Sequence, residues 1–247
     1  MNEKLESKIY ILLSKPDAET IHDIRTTSRR IQAYTDLLPK SVRRKSKVAL
    51  YLTRVRTLFK ATSPIRDLDI IQEKLKKFET DPEVKLILDQ QKTREDLLAV
   101  AIKIASTLKK AGAPRVKVGE IPQSRLSKRK RKILRKYESL LTRQIKVENP
   151  TIEHLHDLRK NCKMLRYTLE VDSKRVQLRP FLVKIQGDLG VIMDVQTTLT
   201  ALSKLSSAIS AAITADIEVE KDNATRNFVA NKPKLLSQLA RMSSKNS

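Results

Sequence analysis

The sequence predicts an all-α protein built as an internal repeat: two pseudo-symmetric four-helix bundles of long helices around a basic central groove. Three observations carry this expectation. Breakers are scarce, with 4 Gly and 9 Pro in 247 residues, which favours long helices. Apolar residues recur at helical spacing along most of the chain. The third observation is a stretch that occurs twice. His22 aligns with His156, Asp23 with Asp157, Arg25 with Arg159 and Arg29 with Lys163, without gaps, at an offset of 156 − 22 = 134 residues. Ile24, Ser28 and Ile31 align in the same way with Leu158, Cys162 and Leu165.

Taken in order, Glu3 to Ser14 reads as a short amphipathic helix with Leu5, Ile9, Leu12 and Leu13 on one side, ended by Pro16. Asp17 or Thr20 caps the next helix, which runs to about Leu38. Ser41 to Lys45 opens a third helix, whose apolar side is Val48, Leu52, Val55 and Phe59. Ser63-Pro64 predicts a break or kink before Ile65 to Asp69, because proline lacks the helical donor. Asp81-Pro82-Glu83 combines a cap, a proline at the first helical position and an acid in the first turn. It predicts one long helix ending at the basic Lys109-Lys110 and at Gly112. Residues 113–123 hold two prolines and a glycine without helical period, and read as a linker between residues 1–112 and 124–230. In the second half, Ser124 to about Val147 is a strongly basic helix, and Asn149-Pro150-Thr151 opens the second copy of the repeated stretch. Arg179-Pro180 starts a helix with Phe181, Leu182, Ile185, Leu189 and Ile192 inside. Asp194 in that helix takes the place that Asp67 has after Pro64. A long helix from Ser206 to Val229 follows, and residues 231–247 form a short helix and tail.

Lys and Arg number 51 against 28 Asp and Glu, a formal net charge of +23. An excess of that size favours an anionic partner. Aromatic residues make up 4% and Trp is absent, which argues against base stacking on aromatic platforms. The single cysteine, Cys162, excludes an internal disulfide and a thiolate zinc cage. Without a signal pattern or a long apolar run, the chain is expected to be cytoplasmic and not inserted in a membrane.

Cations opposite an apolar stripe are ordinarily the wet side of a helix. Here the same sector is basic in both copies, carries few acids, and sits in a chain of large positive excess. If the two rows face each other, cations about 6 Å apart repel by roughly 3 kcal/mol per pair at an effective dielectric near 20. A multivalent anion relieves that repulsion. His156 to Arg166 spans about 15 Å of helix axis, too long for one phosphate and suited to a chain of them. Arginine adds forked donors that match phosphate oxygens, and the histidines add charge as pH falls.

The pairing of His-x-x-Arg-x-x-x-Arg-Arg with His-x-x-Arg-Lys-x-x-Lys-x-Leu-Arg-Tyr resembles the CHAD family, the conserved histidine α-helical domain. Pro64-Ile65-Arg66-Asp67-Leu68-Asp69 and the segment from Gln186-Gly187-Asp188-Leu189-Gly190 to Asp194 fit the same pattern. The resemblance covers about residues 1–230 and implies two four-helix bundles around a basic cavity. It also implies binding of inorganic polyphosphate and association with polyphosphate granules. The contacts it implies are His22, Arg25, Arg29, Arg30, Arg54, Arg66, His156, Arg159, Lys160, Lys163, Arg166 and Lys184. Met164 stands where the family usually has a basic residue, and Gln196 where the first half has Asp69. Asp67 and Asp194 are expected to orient neighbouring arginines; with Asp69, they also leave open a divalent metal and hence a phosphohydrolase. The chain lacks a Gly-rich phosphate loop, a nucleophile motif and a His-Glu metal motif. The expectation is therefore a binder without catalytic residues, metal or cofactor. A basic nucleic-acid-binding protein is the main rival, and a metal-dependent polyphosphate or triphosphate hydrolase the lesser one.

Overall fold

A computed structural model describes residues 2–171, 173–203 and 207–244, and every regular element among them is helical. The chain divides into two compact units, Met1–Ser127 and Lys128–Ser247.

The first unit contains α1 (Asn2–Ser14), α2 (Ala18–Asp36), the single turn α3 (Lys40–Arg43), α4 (Ser46–Leu75), α5 (Pro82–Leu88) and α6 (Gln91–Ala111). Its starts and stops follow local chemistry. The Asp17 carboxylate accepts the Thr20 N–H at 2.8 Å and begins α2. The Asp81 carboxylate accepts the N–H groups of Glu83 and Val84 at 2.9 and 3.1 Å, with Pro82 beside it, and begins α5. Gly112 ends α6 with φ +64°, a backbone region that disfavours any residue with a Cβ. The long helices close a ring: α1 packs on α2, α2 on α4, α4 on α6, and α6 on α1. Leu5, Ile9, Leu12, Ile21, Ile24, Val55, Leu58, Ile65, Ala101 and Leu108 meet inside it. Fully burying a Leu or Ile contributes roughly 1.5–3 kcal/mol, so this ring holds its helices far more firmly than helical propensity would.

The second unit takes most of α7 (Gln123–Ile145), then α8 (Ile152–Leu169), α9 (Arg179–Leu202) and α10 (Ser207–Ser244). Thr151 caps α8 through the His154 N–H at 3.3 Å. Asn161 of α8 donates to the Gln144 side chain of α7 at 2.9 Å, and α9 packs on both α8 and α10. Leu158, Cys162 and Leu165 of α8 are buried, as are Leu182, Ile185, Leu189 and Ile192 of α9.

Four expectations need correction. Residues 41–45 do not open the third helix: α3 is one turn, Arg43 folds back onto Asp36 at 2.9 Å, and α4 starts at Ser46. Ser63-Pro64 does not end α4. Leu58 and Thr62 before it and Ile65 after it are wholly buried, and that burial outweighs the roughly 3 kcal/mol cost of an internal proline. The helix expected from Pro82 to Gly112 is two helices. Val84 and Ile87 bury α5 against α4, the Gln72 amide takes the Leu88 carbonyl at 3.4 Å, and the chain restarts at Gln91. Finally, α10 continues through Pro233 to Ser244, because Ala224 and Phe228 before it and Leu235 and Leu239 after it are all buried. The expected start at Ser206 and the tail at 245–247 lie outside the described residues. No helix among the described residues is long and apolar enough to cross a membrane.

Candidate functional site

Each unit carries one of the two basic rows, on α2 and on α8. In the first unit, the cap at Asp17 and the apolar positions Ile21, Ile24 and Ile31 fix how α2 is turned. His22 is then exposed, and Arg25, Arg29 and Arg30 are half-buried. Arg25 is held on α4. Its Nη1 donates to the Phe59 carbonyl at 3.0 Å and to the Ser63 hydroxyl at 2.7 Å. Its guanidinium also lies 4.4 Å from the centroid of the Phe59 ring, and that of Arg29 lies 4.9 Å from the same ring. A partly desolvated cation over an aromatic face gains about 0.5–2 kcal/mol. Phe59 thus sets two guanidinium groups side by side. Arg54 and Arg66, on the same helix, are half-buried and make no ion pair among the described residues.

In the second unit, Leu155, Leu158, Cys162 and Leu165 turn α8 so that His156 and Lys160 are exposed and Arg159 and Arg166 half-buried. Arg159 lies against α9 at Gly190: a Cβ there would come 3.2 Å from its Nη2. The offset that sets Asp194 against Asp67, 194 − 67 = 127, also sets Gly190 against Ser63 and Gln186 against Phe59. Arg166 lies 4.7 Å from the centroid of the adjacent Tyr167 ring. Lys184 is exposed on α9.

Lys163 is not on the wet side, as its place in the repeat predicts; it is 7% exposed. The buried arc of α8 widens in its last two turns to take in Lys163, Tyr167 and Thr168, and the 3-10 turn Ser173–Leu178 packs on this helix. A single wet face is a poor rule where a helix is covered on more than one side.

The rows also touch acids. Asp23 pairs with Lys8 of α1 and lies 3.7 Å from His22 Nδ1. Lys160 pairs with Asp157 at 2.6 Å, and that hydrogen bond holds the Asp157 carboxyl below the usual carboxylate range. Asp69, one of the three acids open to a metal, is 6% exposed and accepts Arg94 Nε at 2.8 Å, so it ties α4 to α6. Asp67 is exposed and Asp194 half-buried. No group of three or more His, Cys, Asp or Glu among the described residues is arranged to hold a metal ion. Cys162 is wholly buried, and desolvation pushes its thiol up to about 12, so it stays protonated at neutral pH.

Sequence reasoning missed Phe59 as a bed for arginine, Ser63 as its anchor, and Arg94. Phe59 lay on an apolar stripe and looked like core; its place between two basic positions of a neighbouring helix is visible only after folding. Gly190 belonged to a recognised segment, but the guanidinium above it did not show in the sequence.

Comparison with known proteins gives one match: the family model for the CHAD domain fits residues 6–203. No curated protein and no solved structure matches the chain.

Proposed function

The chain belongs to the CHAD domain family, and on that premise we propose that it binds inorganic polyphosphate without catalysing a reaction on it. Arginine and lysine of the α2 and α8 rows replace the counterions of the linear polyanion. The observation that carries this reading is the fixing of Arg25 by the Phe59 carbonyl, the Ser63 hydroxyl and the Phe59 ring. A guanidinium held in place loses little freedom when it meets a phosphate, and its fork fits two phosphate oxygens. The net charge of +23 adds long-range attraction. The internal repeat of two bundles, a cytoplasmic location and attachment to polyphosphate granules belong to the same proposal.

Titration with long-chain polyphosphate tests it. Arg25→Glu and Arg159→Glu each weaken binding by roughly tenfold or more, the scale of a lost charged hydrogen bond. Lys234→Glu, on the exposed side of α10, changes it by less than about twofold. Affinity falls with salt by roughly 0.7 log units per neutralised phosphate per tenfold increase. Equal losses from all three variants would reduce the rows to generic basicity. Displacement of polyphosphate by duplex DNA at equal phosphate concentration would favour a nucleic-acid partner, and phosphate release with a divalent metal would favour a hydrolase.

A further inference from the structure

Beneath the α2 row lies a small notch of about 30 Å³ whose lining includes Ser28, Arg29 and Gln32 of α2 and Leu52, Arg56 and Phe59 of α4. It has room for one or two water-sized oxygens. Ser28 is 3% exposed and its hydroxyl has no hydrogen-bond partner. A buried hydroxyl without a partner is costly, and native structures seldom leave one. The notch therefore offers a donor that an acceptor oxygen would complete. Around it stand two arginines: Arg29, set by the Phe59 ring, and Arg56, which makes no ion pair among the described residues.

We infer that this notch receives the end of a polyphosphate chain, with a non-bridging oxygen of the terminal phosphoryl group accepting the Ser28 hydroxyl and Arg29 and Arg56 taking the remaining oxygens. The inference rests on the polyphosphate reading and specifies which part of the ligand meets the first unit. An internal phosphate has two non-bridging oxygens and chain leaving in both directions, so it cannot enter so small a recess. A terminal phosphoryl has three, carries more charge, and is blunt. The second unit has no such feature at the aligned position: Cys162 is wholly buried and its thiol is a weak donor. The two rows therefore differ in what they recognise, an end on α2 and chain body on α8.

The test compares two probes on the intact chain: tripolyphosphate, and long-chain polyphosphate whose ends are blocked by coupling to an amine. Ser28→Cys keeps the volume, removes the strong donor, and installs the residue that the fold already accepts at position 162. It weakens tripolyphosphate binding by about tenfold and changes binding of the end-blocked chain by less than about twofold. Equal affinity of wild type and Ser28→Cys for tripolyphosphate, or equal losses on both probes, overturns the inference. Phosphorus NMR gives a second measurement on wild type: the terminal resonance of tripolyphosphate shifts and broadens more than the middle one. The opposite order also overturns the inference. Failure of the polyphosphate reading looks different, since Arg25→Glu would then leave binding of both probes unchanged.

Discussion

Arg25 and Arg159 hold corresponding places on α2 and α8, yet their surroundings differ. Arg25 has two hydrogen bonds to α4 and an aromatic ring beneath it. Arg159 lies on Gly190, where the neighbouring helix has no side chain to obstruct it. One unit positions its arginine by adding contacts and the other by removing a Cβ. The same contrast runs through the neighbouring positions. Phe59 answers to Gln186, whose side-chain oxygen is buried without a partner, Ser28 answers to Cys162, and Asp69 to Gln196. A repeated charge pattern can therefore stand on two different beds, with the first unit the more firmly fixed.

The sharpest way to break that comparison is to loosen the first unit. Asp69 and Arg94 pair at 2.8 Å with side chains 4% and 15% exposed, and Gln196 shows that the second unit lacks the acid. Arg94→Met leaves the Asp69 carboxylate buried and uncompensated, a loss of about 3 kcal/mol or more. Chemical denaturation then separates into two steps, with the first unit unfolding earlier. A single unshifted transition would mean that the pair contributes nothing to the order of α4 and α6.

These contrasts also mark what the sequence makes legible. Helix starts at Asp17, Asp81 and Thr151 and the stop at Gly112 follow from capping, a local effect of neighbouring residues. The tolerance of Pro64 and Pro233 and the break after Leu88 do not, because core burial or a carbonyl taken by another helix decides them. The charges of the rows are readable from spacing. Their supports are not: periodicity separates apolar from polar positions but cannot tell that Phe59 lies under two guanidiniums, or that Lys163 is covered.

A smaller effect is expected at the bed of Arg159. Gly190→Ala brings a methyl group 3.2 Å from Nη2. The guanidinium is the far end of a flexible side chain, so it shifts at little cost to the fold. Alanine within a helix also gains roughly 0.5–1 kcal/mol over glycine. The variant is therefore at least as stable as wild type while its affinity for polyphosphate falls by about threefold, read by thermal melting and titration together. Ser63→Ala is the counterpart in the first unit: it removes one acceptor of Arg25 and leaves the Phe59 carbonyl and ring in place. A loss of binding that tracked a loss of stability in Gly190→Ala would show that Gly190 serves packing and not the placement of Arg159.

The smallest effect concerns the acids beside the rows. Asp23 is met by Lys8 from another helix, whereas Asp157 is met by Lys160, itself a member of the α8 row. The acid in the second unit thus occupies a cation that polyphosphate would use, and the acid in the first does not. Asp157→Asn frees Lys160 and raises affinity, by less than about twofold because both side chains are more than half exposed and the pair is screened. Asp23→Asn frees no cation of the α2 row and leaves affinity nearly unchanged. The sign with pH follows from the lowered pKa of Asp157, caused first by its hydrogen bond to Lys160. A carboxyl with a depressed folded pKa keeps its pair above the ordinary carboxylate range and loses it as pH falls through the lowered value. The advantage of Asp157→Asn is therefore constant from about pH 5 to 8, the window in which histidine titrates. A gain that grew or vanished across that window would assign the effect to His156, one residue away, in place of the Asp157–Lys160 pair.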